Sequence, residues 1–431
     1  MKTKIKMHAL LSVLLAILSI NALSQLPALG VVKVIVSPDH KDWTYKLNEE
    51  ARFSVQVLKY GNPIENVSID YETGPETLPE IIKKGQVLKT GKIEFSGTMK
   101  EPGFYRVSVW VNVDGKRYEG LATAGFEPEK IRPVVKEPPD FDDFWIKNIA
   151  EARKINLDPI ITLVPERCTS EANVYHINFQ NDKIGSKIYG MLAVPKKSGK
   201  YPALLKVPGG GVYRYGGDPR TASNGIITLE IGIHGIPVNL DPQVYVDLAN
   251  GALSNYYTIR MNDRDAFYFK RVYLGCVKAV DFIFTLPEFN GTDIAVTGQS
   301  QGGMLSIVTA ALDRRVKYLA AIYPGGCDNA RYLTKKNKIS PSSFRYTEPK
   351  PGEIETLGYY DVVNFARRIT IPGLYTWGYN DVVCTPTSMY SAYNVISAPK
   401  ELNLFLETGH WTFPEEVESV NNWLIKHLKD L

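Results

Sequence analysis

A short stretch at residues 297–303, with the sequence Thr-Gly-Gln-Ser-Gln-Gly-Gly, constrains the fold of this chain more than any other feature. It follows an apolar run at 294–296 and leads into a helix-forming segment at 304–312. Ser300 then lies at the apex of a sharp turn between a strand and a helix, where flanking glycines leave the room that the turn needs. This pattern, a nucleophile elbow, predicts that the first N–H groups of the helix face the serine.

The elbow pattern is short and also arises by chance, so the residues downstream have to support it. A serine hydroxyl reacts as a nucleophile when a base removes its proton, and a third group must orient that base. Elbows of this type are followed along the chain by an acid and then by a histidine. Asp381 follows an apolar strand predicted at 371–377, and His410 follows a strand predicted at 402–406. Loops after parallel strands gather at one sheet edge, so Ser300, Asp381 and His410 are predicted to meet there.

Two other residues compete for these positions. Asp361 is the rival acid, but the residues after it, 362–368, predict that it begins or caps a helix, whereas a triad acid belongs on a loop after a strand. His234 is the rival base, but it precedes Ser300 in the chain, against the expected order. We therefore expect His234 to line the substrate pocket.

Several further motifs carry a resemblance to a known family. They are Pro-Asp-Phe-Asp-Asp-Phe-Trp at 139–145, Tyr-Phe-Lys-Arg-Val-Tyr at 268–273, the elbow, Tyr-Asp-Val-Val-Asn-Phe-Ala at 360–366, Gly-Tyr-Asn-Asp at 378–381, Pro386, and Ala-Tyr-Asn at 392–394. From Pro138 onward the chain resembles the acetyl xylan esterase and cephalosporin-C deacetylase family of α/β-hydrolases, which is carbohydrate esterase family seven. The resemblance implies an α/β-hydrolase fold with a mostly parallel sheet and a triad of Ser300, Asp381 and His410.

The chain departs from the family pattern in two places. The family usually has Arg-Gly-Gln where this chain has Ile-Gly-Ile-His-Gly at 231–235, and it usually has Glu after the catalytic histidine, where this chain has Trp411. These changes predict retained chemistry with an altered substrate preference. Trp411 is expected either to stack on a sugar face or only to pack a loop. We assign Tyr213, beside a glycine-rich loop, to the same pocket.

An oxyanion hole is expected beside Ser300. Attack on an ester places negative charge on the carbonyl oxygen, which two preorganised backbone N–H groups would stabilise. The N–H of Gln301 is predicted to be one donor. The second is expected from the glycine-rich loop at 208–212, where Gly210 is our choice and Gly209 and Gly211 are the alternatives.

The N-terminus has the features of an export signal. Lys2, Lys4 and Lys6 precede an apolar run at 9–23, and Ala-Leu-Ser at 22–24 fits a cleavage site. We predict a signal peptide at 1–24 and a secreted or periplasmic protein with no stable membrane span after cleavage; an uncleaved anchor is the alternative. The formal net charge of +4 includes these lysines, so no basic footprint for nucleic acid is expected.

The sequence before residue 131 has a different pattern, that of β-strands. Val107, Val109 and Val111 alternate with polar residues or with Trp110, which is typical of half-buried strands. We predict an immunoglobulin-like β-sandwich at 25–130, a Pro-rich linker at 131–139 and the α/β-hydrolase esterase domain at 140–431. Trp110 is expected to pack against the neighbouring domain or to contact a sugar.

The expected function is therefore a serine carboxylic-ester hydrolase that acts on an acetylated oligosaccharide or another small acetyl ester. We expect no metal and no organic cofactor. The cysteines are scattered without a metal-ligand spacing and are predicted to be free thiols: Cys168, Cys276, Cys327 and Cys384. Family members often form ring-shaped hexamers, so the resemblance implies a homo-oligomer, although the additional sandwich argues against that assembly. A dipeptidyl-peptidase-like hydrolase and a catalytically inactive sugar-binding protein are the alternative functions.

Overall fold

The computed structural model describes residues 30–332 and 352–429. The predicted signal peptide at 1–24 lies outside these residues. In the described part of the chain, no helix combines the length and the apolar character that a membrane crossing requires.

The first part of the described chain consists of β-strands. They are Val32–Pro38 (β1), Thr44–Tyr45 (β2), Ala51–Lys59 (β3), Asn62–Pro63 (β4), Val67–Pro75 (β5), Ile81–Leu88 (β6), Lys92–Gly97 (β7), Gly103–Val113 (β8) and Lys116–Phe126 (β9). One sheet contains β1, β3, β4 and β7, and the other has the order β2-β9-β8-β5-β6. The short pairing of β2 with β9 is parallel, and the other pairings among these strands are antiparallel.

The two sheets share one apolar core. Alternate residues of β3 and β8, among them Val55, Val57, Val107 and Val109, are buried in the same cluster. The intervening side chains point the other way, as a period of two requires. The alternation predicted for this region is therefore confirmed, and burial of its apolar face joins the sheets into a sandwich.

The second part of the chain alternates strands and helices. The strands are Ile160–Leu163 (β10), Ala172–Gln180 (β11), Lys187–Pro195 (β12), Tyr201–Lys206 (β13), Ile227–Gly232 (β14), Phe289–Gln299 (β15), Tyr318–Ile322 (β16), Gly373–Trp377 (β17) and Lys400–Leu404 (β18). The helices are Phe141–Arg153 (α1), Pro219–Ser223 (α2), Pro242–Asn250 (α3), Tyr268–Ile283 (α4), Gln301–Leu312 (α5), Glu353–Tyr360 (α6), Val362–Ala366 (α7), Pro386–Tyr393 (α8) and Pro414–Lys429 (α9). Several of these helices begin at a proline, whose fixed φ suits the first helical position.

These strands form one large sheet with the order β10-β11-β12-β14-β13-β15-β16-β17-β18. The pairings from β10 to β14 are antiparallel, and those from β14 to β18 are parallel. In β15 the consecutive residues Ile294, Ala295 and Val296 are all fully buried, which is typical of a parallel strand covered on both faces. The expected mostly parallel sheet is confirmed, and the loops after β13 to β18 lie along one edge of it.

The segment between the two parts is packed against the larger one. Ile131 and Val135 are buried in its core, and the carboxylate of Asp328 accepts hydrogen bonds from the backbone N–H groups of Val134 and Val135. The Pro-rich stretch predicted as a linker thus lies against the sheet region. Phe104 of β8 is buried in the same core, so the sandwich also contacts the larger part directly.

Candidate active site

Ser300 connects β15 to α5 in a strained conformation, with φ 59° and ψ −119°. A positive φ is rare for residues other than glycine and marks stored strain. The neighbouring glycines are required by packing. A Cβ atom on either Gly298 or Gly302 would lie 2.6 Å from the carbonyl oxygen of Val207, which follows β13. The turn therefore has the geometry that the elbow pattern predicts.

Ser300, His410 and Asp381 are joined by a chain of hydrogen bonds. His410 Nε2 lies 2.9 Å from Ser300 Oγ, and His410 Nδ1 lies 2.9 Å from Asp381 Oδ2. Asp381 is fully buried and follows β17, whereas His410 follows β18 and is 9% exposed. Because the carboxylate can only accept, Nδ1–H donates to Asp381, and Nε2 accepts from the Ser300 hydroxyl. The structure thus brings the three predicted residues together.

The acid is held by its own loop. Asp381 Oδ1 accepts hydrogen bonds from the N–H groups of Val383 at 2.7 Å and Cys384 at 2.8 Å, which leaves Oδ2 directed at His410. Burial of the imidazole disfavours its charged form, but the Asp381 carboxylate outweighs this effect and raises the pKa of His410. The pair is therefore arranged to stabilise an imidazolium that forms during a reaction.

Asp361 has a structural role. Its carboxylate accepts from the N–H of Val363 at 3.0 Å and so caps α7, as predicted. It also accepts from the N–H groups of Asp328 and Asn329. Burial and the neighbouring Asp328 raise the pKa of Asp361 to about 7. These contacts tie Asp361 to the backbone around it.

The glycine-rich loop after β13 lies beside the elbow. The side chain of Gln301 donates through Nε2 to the carbonyls of Pro208 and Gly209, and its Oε1 accepts from the Tyr256 hydroxyl at 2.6 Å. Tyr256 in turn accepts from the N–H of Gly211 at 3.0 Å. The Gly211 N–H is therefore engaged, which leaves Gly209 and Gly210 as candidates for a second oxyanion donor.

His234 supports this loop from behind. Its Nε2–H donates to the carbonyl of Gly211 at 2.8 Å, and its Nδ1 accepts from the Tyr268 hydroxyl at 2.7 Å. Burial lowers the pKa of His234 to about 4, so the ring is neutral at pH 7. We expected His234 to line the pocket, but it is not among the residues that line the cavity in front of Ser300, and its Nε2 is directed at the Gly211 carbonyl instead.

A cavity of about 560 Å³ opens in front of Ser300 and His410. Its lining consists of Lys206, Val207, Pro208, Gly209, Gly210, Tyr213, Tyr215, Glu230, Thr297, Gly298, Gln299, Ser300, Ile322, Tyr323, Val383, His410, Val417, Val420 and Asn421. Tyr213 thus lies in the lining, and its hydroxyl donates to the carbonyl of Gly210. Trp411 is outside this lining and its ring packs edge-on against Phe413, in agreement with the loop-packing alternative.

Cys384 lies beside the triad. Ligand atoms of Asp381, Cys384 and His410 lie within 4.8 Å of one another. Burial raises the pKa of the Cys384 thiol, so the sulfur keeps its proton at neutral pH. Asp381 and His410 already hydrogen bond each other, and this cluster is best described as an acid–base pair with a neutral thiol beside it. The four cysteines are free thiols, as predicted.

Two contributors to this site were missed in the sequence. Tyr256 follows α3 in the chain, and its contact with Gln301 depends on how the segment between α3 and α4 folds back. Arg106 lies in β8, where alternation predicts a side chain facing away from the sandwich core. It is buried against the loop that carries Asp381.

Comparison with known proteins identifies relatives of the whole chain. The model of the acetyl xylan esterase (AXE1) family matches residues 127–427. Acetyl esterase Axe7A from Xylanibacter ruminicola is 40% identical over 399 residues, which cover 91% of this chain and 90% of the relative. This alignment is longer than the family match, so this relative also shares sequence before residue 127.

Two solved structures share the fold of the larger part. The acetyl xylan esterase from Paenibacillus sp. R4 is 27% identical with a TM-score of 0.60, covering 70% of this chain and 99% of that chain. Acetyl xylan esterase 1 from Thermoanaerobacterium sp. JW/SL YS485 is 24% identical with a TM-score of 0.60, covering 70% of this chain and 97% of that chain. The expected α/β-hydrolase fold is therefore confirmed. With a family match over most of its length and a relative that aligns nearly end to end, this chain belongs to the acetyl xylan esterase family and is a carboxylic-ester hydrolase.

Proposed function

We propose that this protein removes acetyl groups from acetylated oligosaccharides through a Ser300–His410–Asp381 triad and an acyl-enzyme. The observation that carries the proposal is the unbroken hydrogen-bond chain from Ser300 Oγ through both ring nitrogens of His410 to Asp381. The names of the relatives, an acetyl esterase and acetyl xylan esterases, support acetyl esters as substrates.

The reaction follows from this geometry in two halves. His410 Nε2 removes the Ser300 proton as Oγ attacks the acetyl carbonyl, and the imidazolium is stabilised by Asp381. The N–H groups of Gln301 and Gly210 hold the oxyanion. As the bond between the acetyl carbon and the sugar oxygen breaks, His410 donates the proton to that oxygen, and an acetyl ester remains on Ser300. Water, deprotonated by His410, attacks that ester, and His410 returns the proton to Ser300 Oγ as acetate is released.

The cavity lining supports a carbohydrate alcohol as the leaving group. Lys206, Glu230 and Asn421 present charged or amide groups that can hydrogen bond to hydroxyls, and Tyr215 adds an aromatic ring with a polar tip. In the same lining, Val383 and Ile322 provide apolar surface of the kind that suits a methyl group. The lining thus combines apolar surface with hydrogen-bonding groups.

Acetate release tests the proposal. The purified protein is assayed with acetylated xylo-oligosaccharides, acetylated pectin fragments, a cephalosporin ester and an aminoacyl anilide, and Ser300→Ala is compared with the unaltered protein. We expect acetate from at least one acetylated saccharide, none from the anilide, and a loss in Ser300→Ala of at least about a thousandfold. Full activity of Ser300→Ala, or failure of the unaltered serine to react with a fluorophosphonate, would contradict the triad.

We also propose that the protein is exported and that its first domain is immunoglobulin-like. If β1, β3, β5, β7, β8 and β9 are taken as strands A, B, C, E, F and G, then A, B and E share one sheet and C, F and G the other, which supports this topology. Export predicts a mature chain that begins at Gln25 in the periplasm or medium. N-terminal sequencing of a membrane-bound product that still begins at Met1 would favour the uncleaved anchor.

A further inference from the structure

The loop that carries Asp381 is in contact with the N-terminal sandwich. The ring of Phe104 in β8 lies 4.9 Å from the ring of Tyr379, edge to face. The side-chain amide of Asn380 donates to the carbonyl of Leu121 in β9 at 3.1 Å. The residues immediately before Asp381 are therefore packed against two neighbouring sandwich strands.

Arg106 makes the most direct of these contacts. Its Nη2 donates to the backbone carbonyl of Asp381 at 3.0 Å and to that of Tyr379 at 3.2 Å. Its Nε donates to the Thr123 hydroxyl in β9 at 2.8 Å. The side chain is 8% exposed, so these bonds form away from bulk water, where charge-assisted hydrogen bonds are strongest. One guanidinium thus connects a sandwich strand to the backbone of the triad acid.

Glu76 holds the other end of the same loop. Its Oε1 accepts from the N–H of Thr387, in the first turn of α8, at 3.3 Å. Its Oε2 lies 3.9 Å from Arg106 Nη2, and the Glu76 side chain is 5% exposed. Burial raises the pKa of Glu76, while the adjacent Arg106 opposes that rise. The sandwich therefore holds the loop both before and after Asp381.

We propose that Arg106 is a positioning residue of the triad, through which the N-terminal sandwich sets the placement of Asp381 against His410. The proposal rests on the proposed function, since it assigns a support to that triad. Asp381 Oδ2 accepts the hydrogen bond from His410 Nδ1, and a backbone shift of about 1 Å at the acid would lengthen this bond enough to cost on the order of a hundredfold in rate.

An adjacent cavity makes the proposal testable by chemical rescue. A space of about 220 Å³ lies between the two parts of the chain, and its lining includes Glu76, Arg106, Trp110, Val382 and Thr385. Removal of the Arg106 side chain would extend this cavity to the carbonyl of Asp381. A guanidinium ion added to the solution can then enter and restore the two hydrogen bonds and the charge.

The test compares Arg106→Ala with Arg315→Ala in the full-length protein, well below the unfolding temperature of each. Arg315 is a matched control because it bonds carboxylates of Asp281 and Asp313, outside the lining of either cavity. We expect kcat of Arg106→Ala to fall about 30- to 300-fold, with KM changed less than about threefold. Millimolar guanidinium should raise the kcat of this variant at least about tenfold, whereas urea should not raise it. We expect the kcat of Arg315→Ala to stay within about twofold of the unaltered protein and not to change when guanidinium is added.

The pH profile separates positioning from a purely structural role. If Asp381 loses its alignment with His410, its effect in raising the pKa of His410 weakens, so the acidic limb of kcat/KM moves to lower pH in Arg106→Ala. If Arg106→Ala does not fold, Arg106→Lys and Glu76→Gln replace it. In both variants we expect kcat to fall and the acidic limb of kcat/KM to move to lower pH, by smaller amounts than in Arg106→Ala.

The outcomes are distinguishable. An inactive Ser300→Ala together with a folded Arg106→Ala that keeps the kcat and the pH limb of the unaltered protein would overturn the positioning role and leave the triad intact. A loss of kcat that guanidinium does not rescue, with an unmoved pH limb, would overturn it as well. Activity that persists in Ser300→Ala would instead overturn the proposed function.

Discussion

Asp381 and His410 lie on the loops after two adjacent parallel strands, and a 2.9 Å hydrogen bond joins the Oδ2 of one to the Nδ1 of the other. Twenty-nine positions separate them along the chain. The contact exists because β17 and β18 pair in parallel, which brings the residues after both strands to one edge of the sheet. The Ser300 elbow reaches the same edge from β15.

Replacing the acid tests its role against its rival. We expect Asp381→Asn to lower kcat about ten-thousandfold, because an amide in place of the carboxylate no longer holds His410 in the tautomer that accepts the serine proton. Asp361→Asn serves as the control: it should lower thermal stability, because an amide nitrogen in place of Oδ2 cannot accept the hydrogen bonds that Asn329 donates, while kcat stays within about threefold. Equal losses of kcat in both variants would contradict the assignment.

The pH dependence of the unaltered enzyme follows from the sign of the His410 shift. The base must be neutral to accept the Ser300 proton, and its pKa is raised, so a larger fraction is protonated and inactive at a given pH than for an unperturbed histidine. We expect kcat/KM to rise with pH and its acidic limb to have a midpoint above about 6.5. An acidic limb with its midpoint below pH 5 would show that a group other than His410 controls activity.

The Tyr256 hydroxyl should affect catalysis through the glycine-rich loop at 208–212. Tyr256→Phe removes the hydroxyl that joins the N–H of Gly211 to Gln301 Oε1, so the loop loses two hydrogen bonds, each worth about 1 kcal/mol. We expect kcat to fall about tenfold or more with little change in KM. Tyr257→Phe is the control, because its hydroxyl donates to Asn255 outside the glycine loop. Similar kinetics for the two variants would exclude this role of Tyr256.

The elbow should not tolerate a side chain at Gly302. Gly302→Ala places a methyl group 2.6 Å from the carbonyl of Val207, and the turn and β13 have to move apart. We expect a loss of stability of about 1–3 kcal/mol, seen as a lower unfolding temperature, with nearly complete loss of activity. At Gly209 the nearest atom to an added methyl is 3.5 Å away, so Gly209→Ala should unfold close to the unaltered temperature. An unchanged unfolding temperature for Gly302→Ala would contradict the packing argument.

The local elements around the triad were predictable because their signals are contained in short stretches of sequence. The strand expected at 371–377 is Gly373–Trp377, and the helix expected at 304–312 is Gln301–Leu312. The helix expected after Asp361 is Val362–Ala366, with that residue as its cap. Apolar runs, prolines and the elbow glycines specify these elements through backbone sterics and burial, which act over a few residues.

The directions of the Trp411 and His234 side chains could not be predicted, because they depend on contacts between separate loops. Trp411 and His234 follow strands, as pocket residues would, yet Trp411 packs on Phe413, and His234 bonds to the back of the glycine loop. Strand position predicts the sheet edge at which a side chain lies. The direction it takes there depends on the loop that folds in front of it, and that loop has no periodic signal.

By itself, the sequence determined the parallel sheet, the order of serine, acid and histidine at its edge, and the alternation of the N-terminal strands. Only the tertiary structure decided that Arg106, on the side of β8 opposite the sandwich core, is buried and bonded to the backbone of Asp381. Alternation distinguishes one face of a strand from the other, but it does not state whether the outer face meets water or another domain. That choice depends on contacts between residues about 275 positions apart, which no local pattern records.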